Sequence, residues 1–134
     1  MFASVLSLGA AMAAQSPLIH VPLGKPKQVE QPRAPIETAG PAFDATCDDN
    51  DDWDKPAPPV RIHANTYLVG TCGISSILIT GSDGHILIDS GTEAGADLVV
   101  RNIRRLGFKP TDVKILLHSH EHIDHVGGTA RLQQ

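Results

Sequence analysis

Between Leu117 and Gly128 the chain reads Leu-His-Ser-His-Glu-His-Ile-Asp-His-Val-Gly-Gly, which places four histidines and two carboxylates in eight residues. Imidazole and carboxylate together suit zinc, and less often iron. The pattern His-x-His-x-Asp-His has two conceivable registers here. Begun at His118, its fifth position is His122, which is no carboxylate; begun at His120, it reads His120-Glu121-His122-Ile123-Asp124-His125 without mismatch. Alternate residues on an extended segment point the same way, so His120 and His122 are expected to hold one ion. Asp124 and His125 are adjacent on a turning loop, point differently, and are expected to hold a second. Two such ions sit about 3.5–4 Å apart and lower the pKa of bound water to about 7, which gives a nucleophile without serine or cysteine. Glu121 is expected to face solvent or lie behind the ligands. His118 is expected to be a strand-end residue, and His63 and His85, beside strands with no partner spacing, to be structural.

A site of this kind needs a frame. Thr66–Val69, Ile74–Ile79 and Ile86–Ile88 are short runs rich in β-branched and aromatic residues, separated by Gly-containing turns, and predict three strands joined as hairpins. Ser90 and Glu93 fit a capping box, so a helix is predicted from Ser90 to about Leu106. Val99, Ile103 and Leu106 would form its buried stripe, Arg101, Arg104 and Arg105 would face water, and Gly107 would supply the left-handed cap. Val113–Leu117 predicts a further strand of the buried kind. The histidine loop follows it, where α/β sheets place their sites, and Gly127–Leu132 reads as the opening of a second helix. Together these predict an α/β fold, a mixed sheet with helices on one face.

At the histidine loop the sequence resembles the metallo-β-lactamase superfamily, whose hallmark is His-x-His-x-Asp-His after a strand. Trp53–Pro59, Asn65–Gly70, Ile77–Thr80 and Gly84–Asp89 look like the N-terminal half of the secreted class B, subclass 3 enzymes. The resemblance covers residues 47–134 and implies half of an αββα sandwich in which two Zn2+ ions open a β-lactam ring. It implies that His120 and His122 hold the first zinc, that Asp124 and His125 hold the second, that Asp124 also orients the attacking hydroxide, and that Trp53 edges the substrate groove. It implies a further histidine for each zinc beyond Gln134. The chain is therefore expected to be the N-terminal fragment of a longer parent that carries the activity. The alternatives are another hydrolase of the fold, of glyoxalase II or lactonase type, or a non-catalytic zinc-binding domain. Asp124 speaks against the last, because structural zinc prefers a closed set of Cys and His.

The remaining sequence sets the context. Nine of ten prolines lie before residue 60, so residues 14–46 are expected to be a disordered Pro-rich linker. Phe2–Ala14 is apolar, too short to span a bilayer, and ends in Ala-Met-Ala, which predicts a signal peptide over 1–13 and a periplasmic protein. Cys47 and Cys72, an even count in an exported chain, are expected to pair. The acidic run Asp48–Asp54 has Trp53 where a calcium hand needs Gly, so a solvated loop is expected. A net charge of −4 without a basic stripe, and the lack of a long apolar run, argue against nucleic acid and membrane as partners; the resemblance implies a small-molecule β-lactam.

Overall fold

The computed structural model describes residues 40–134, so the expected signal peptide and the linker up to residue 39 lie outside the described residues. In chain order the elements are α1 (Gly40–Asp44), β1 (Val60–His63), β2 (Thr66–Leu68), β3 (Ile77–Ile79), β4 (His85–Ile88), α2 (Ala96–Arg105), a 3-10 turn (Pro110–Asp112), β5 (Val113–Leu117), α3 (Ile123–Val126) and α4 (Thr129–Leu132). The sheet runs β1-β2-β3-β4-β5, antiparallel throughout except for the parallel β4–β5 pair that α2 connects. This is the α/β class and the mixed sheet that the sequence predicts. Among the described residues no helix is long and apolar enough to cross a membrane.

One face of the sheet makes the core. Tyr67, Leu78 and Leu87 are register partners across three strands and are all but fully buried. They cluster with Val99, Ile103 and Leu106, the predicted stripe of the α2 segment. Arg101, Arg104 and Arg105 are exposed, and Gly107 takes φ +85°, as a left-handed cap requires. Asn102, fully buried, donates from Nδ2 to the carbonyls of Ala57, Val69 and Gly70 and so ties α2 to the chain that enters the sheet. His85 is structural, as expected: it is buried, accepts from the Gly81 amide at 3.3 Å, and stacks edgewise on Phe108.

Several expectations change. The end of the proline-rich linker is ordered into α1, because Pro41 stands in the first turn, where a missing N–H costs nothing. β1 is additional; its four residues alternate, but the prolines just before it mask the signal. β3 is shorter than predicted, since Ile74 is taken into a turn with Thr71, whose Oγ1 accepts from the Ile74 amide. α2 begins at Ala96 and not at Ser90, and the capping box does not form. Ser90 Oγ is engaged instead with the His125 carbonyl at 2.9 Å and Thr129 Oγ1 at 3.3 Å, while Thr92 Oγ1 accepts from the Gly95 amide. β5 is not the buried strand expected: Val113 and Leu116 are only partly buried against the core, while Ile115 and Leu117 are 47% and 48% exposed.

The Cys47–Cys72 disulfide is formed. It closes a loop that carries the acidic run, and in the chain-entropy model such a loop contributes about 3.5 kcal/mol.

Candidate metal centre

The histidine loop leaves the carboxyl end of β5 beside the carboxyl end of β4, its parallel partner, the end at which α/β sheets place their sites. Backbone hydrogen bonds seat the loop and α3 there. The Asp89 amide donates to the Leu117 carbonyl at 2.9 Å, the Ser90 amide to the His125 carbonyl at 2.8 Å, and the Gly128 amide to the Gly91 carbonyl at 3.0 Å. A β-carbon at Gly128 would lie 2.4 Å from the Ser90 carbonyl oxygen, so only glycine allows this approach.

His125 Nε2 and Asp124 Oδ2 converge to 3.2 Å. His125 Nδ1, on the opposite side of the ring, lies 3.0 Å from Asp89 Oδ2. Asp89 also accepts from the Ser119 amide at 2.7 Å and from Ser119 Oγ at 2.6 Å. Burial pushes the Asp89 carboxyl up, but the hydrogen bonds from Ser119 and His125 outweigh it and hold the group below the ordinary carboxylate value. The hydrogen bond to Asp89 raises the His125 imidazole above its usual value; burial opposes this, and the charges of Asp124 and Asp89 add to it.

The other expected residues lie in the same place but are held differently. His120 and His122 meet edge to face at 4.0 Å between ring centroids, and the His122 amide donates to His120 Nδ1 at 3.2 Å. The His120 ring is 5.3 Å from that of His125. Glu121 is exposed, yet its carboxylate and the ring nitrogens of its two neighbours all fall within 4.8 Å of one another, closer than expected. The structure thus brings His120, His122, Asp124 and His125 to one locus, and their nitrogen and oxygen donors fit a divalent ion of the zinc type. His118 stays apart, with Nε2 3.3 Å from Thr129 Oγ1. Trp53 is half exposed and accepts at its carbonyl from Thr71 Oγ1, while Asp54 accepts from Thr92 Oγ1. In the acidic run, Asp51 pairs with Lys55 at 2.7 Å.

Asp89 and Ser119 are functional candidates that the motif does not contain. The available signal was positional: Asp89 directly follows the buried run His85–Ile88, at a strand's carboxyl end.

Residues 69–134 match the family described as the metallo-beta-lactamase superfamily. Among solved structures the chain is similar to the MIM-2 metallo-beta-lactamase, at 65% identity and a TM-score of 0.70 over 72% of this chain and 36% of that one. It is similar to the metallo-beta-lactamase MIM-1 from Novosphingobium pentaromativorans, at 54% identity and 0.65 over 68% and 34%. It is also similar to MEM-A1, a subclass B3 metallo-beta-lactamase isolated from a soil metagenome library, at 49% and 0.60 over 61% and 31%. The chain therefore spans 31–36% of the length of these three structures.

Proposed function

We propose a function from one premise: the chain belongs to the metallo-β-lactamase superfamily. The whole protein is then an exported zinc hydrolase that opens β-lactam rings. His120 and His122 would hold one zinc, and Asp124 and His125 the other. The observation that carries this reading is the convergence of Asp124 Oδ2 on His125 Nε2 beside the paired rings of His120 and His122, in a chain 65% identical to a metallo-β-lactamase over the matched region. Export is supported by the disulfide, which persists in oxidising compartments.

Zinc, when bound, supplies Lewis acidity: it acidifies water and polarises a carbonyl. The chain's own residues do the rest. Asp124 turns one carboxylate oxygen towards His125 Nε2, and its other oxygen is left to accept a hydrogen bond from the attacking water and so orient it. The ring of His125 is held from behind by Asp89, and the loop backbone is fixed by the bonds to Ser90 and Gly91. Trp53, presented by the disulfide-closed loop, offers an aromatic face to the apolar part of a substrate.

The test is zinc content and nitrocefin hydrolysis by the full-length protein, before and after chelation. Hydrolysis that disappears with the metal and returns with zinc is expected. Hydrolysis that survives chelation overturns the reading, and turnover of thioesters or lactones with none of β-lactams would transfer it to the glyoxalase II or lactonase type.

A further inference from the structure

We propose that Asp89 is the positioning residue of the Asp124–His125 half of the site, fixing which nitrogen of His125 faces the ion. This rests on the zinc-hydrolase reading above. A neutral imidazole carries one proton, and the nitrogen that donates leaves the other as the ligand. His125 Nδ1 lies 3.0 Å from Asp89 Oδ2, so the carboxylate requires the proton there. When an ion takes the place of the proton shared by Nε2 and Asp124 Oδ2, which lie 3.2 Å apart, the proton held on Nδ1 leaves Nε2 as the ligand.

Asp89 is itself held. Its side chain is 9% exposed. Ser119 reaches it twice, by its amide at 2.7 Å and its hydroxyl at 2.6 Å, and the Asp89 amide extends the β4–β5 ladder to the Leu117 carbonyl. The backbone there takes φ +64°, a left-handed conformation that Asp and Asn tolerate better than other side chains. Because Ser119 immediately precedes His120, the same carboxylate grips both the start of the histidine loop and its end. The Ser119, His125 and Asp89 side chains do not make a nucleophilic triad. Ser119 Oγ donates to the carboxylate and lies beside Nδ1, the nitrogen Asp89 already engages, so no base is left to take its proton.

Asp89→Asn keeps the shape and the left-handed backbone but offers a single acceptor oxygen where Ser119 and His125 present three donors. In the full-length protein, zinc titrated against a chromophoric chelator should show one of two ions weakened by about 10–100-fold, the usual cost of losing a residue that orients a metal-bound histidine. The visible absorption of the cobalt-substituted protein should change, and the metal-free variant should still unfold cooperatively, somewhat below the wild-type temperature because donors are left unmatched. Asp89→Ala should weaken the same ion and unfold earlier still. Wild-type affinity for both ions in Asp89→Asn overturns the proposal, as does a loss of affinity that merely tracks a loss of fold. Wild-type protein that holds no zinc would overturn the hydrolase reading itself and this inference with it, which is a distinguishable result.

Discussion

Asp124 and His125 stand on the first turn of α3, half-buried, with Asp89 behind the ring and the Ser90 and Gly91 backbone behind the helix. His120 and His122 stand only a few residues earlier, exposed on an irregular stretch, and the one hydrogen bond between them is a 3.2 Å contact within the loop itself. The contrast separates two ways of making a ligand. A side chain on an element docked by backbone hydrogen bonds arrives already aimed, and little ordering entropy remains to be lost when an ion binds. A side chain on a solvated loop takes its geometry from the ion and from whatever else packs on it. His120 illustrates the difference: Nδ1 accepts from the His122 amide, which puts the proton on Nε2, so this ring must change its hydrogen bonding to ligate through that nitrogen. His125 keeps its Nδ1 bond to Asp89 and has only to exchange the contact of Nε2 with Asp124 for the ion.

The largest effect should come from within the aimed half. On the proposed zinc-hydrolase reading, Asp124→Ala in the full-length protein would remove a ligand and the group that orients water, and hydrolysis should fall by at least about 10²-fold. Glu121→Ala, on the solvated stretch, should cost far less even though its carboxylate lies near the two rings. Steady-state rates with nitrocefin decide between them, and equal losses would erase the distinction.

How much of this was legible is clearest at these residues. That His120, His122, Asp124 and His125 come close together could be read because the motif is local: six consecutive residues after an apolar strand keep their side chains near one another. The α2 stripe was legible for the same reason, since Val99, Ile103 and Leu106 follow the helical period. What could not be read was tertiary competition. Ser90 has the spacing of a helix cap, but its hydroxyl is better satisfied by the His125 carbonyl 35 residues away, so the helix starts later. Asp89 has no motif of its own, and its importance exists only once the parallel β4–β5 pairing brings it to Ser119 and His125.

Gly128→Ala attacks the docking rather than the chemistry. The new β-carbon would lie 2.4 Å from the Ser90 carbonyl oxygen and 2.9 Å from Ala96 Cβ, neither of which can swing aside. Chemical denaturation should register a loss of about 1–3 kcal/mol, the usual cost of overpacking. Gly40→Ala, with open space around it, is the control. A Gly128→Ala protein as stable as wild type would mean that the Ser90–Gly91 seat is not what fixes α3.

Ser119→Ala is gentler. It removes the 2.6 Å hydroxyl bond to Asp89 but leaves the amide bond at 2.7 Å. The deleted bond carries a net worth of about 0.5–1.5 kcal/mol, so zinc affinity in the aimed half should fall by no more than about tenfold, less than in Asp89→Asn. Chelator competition on the two variants side by side ranks them. A larger loss in Ser119→Ala would place the lock in the serine and not in the carboxylate.

The smallest effect is expected where a carboxylate is held by a single flexible lysine and one loop amide, away from the histidine loop. Asp51 accepts from Lys55 Nζ at 2.7 Å and from the Asp48 amide at 2.7 Å, and these two bonds, the Lys55 bond first, hold its carboxyl below the usual value of 3.8. Because the folded-state value is depressed, its contribution to stability is present above pH 3.8 and is lost as the pH falls through the lower folded value. Lys55→Met should move the Asp51 titration, followed by carboxyl NMR, back up towards 3.8, with zinc content unchanged. Salt should do part of the same work in the wild type, since Lys55 is 36% exposed and an exposed pair is screened. Asp89 is also held by the amide and hydroxyl of Ser119, neutral donors that salt does not screen, so the zinc affinity lost in Asp89→Asn should depend less on ionic strength than the Asp51 titration does. A loss there as salt-sensitive as the Asp51 titration would mean that the Ser119 bonds are not what distinguishes the lock behind His125 from the Lys55–Asp51 pair.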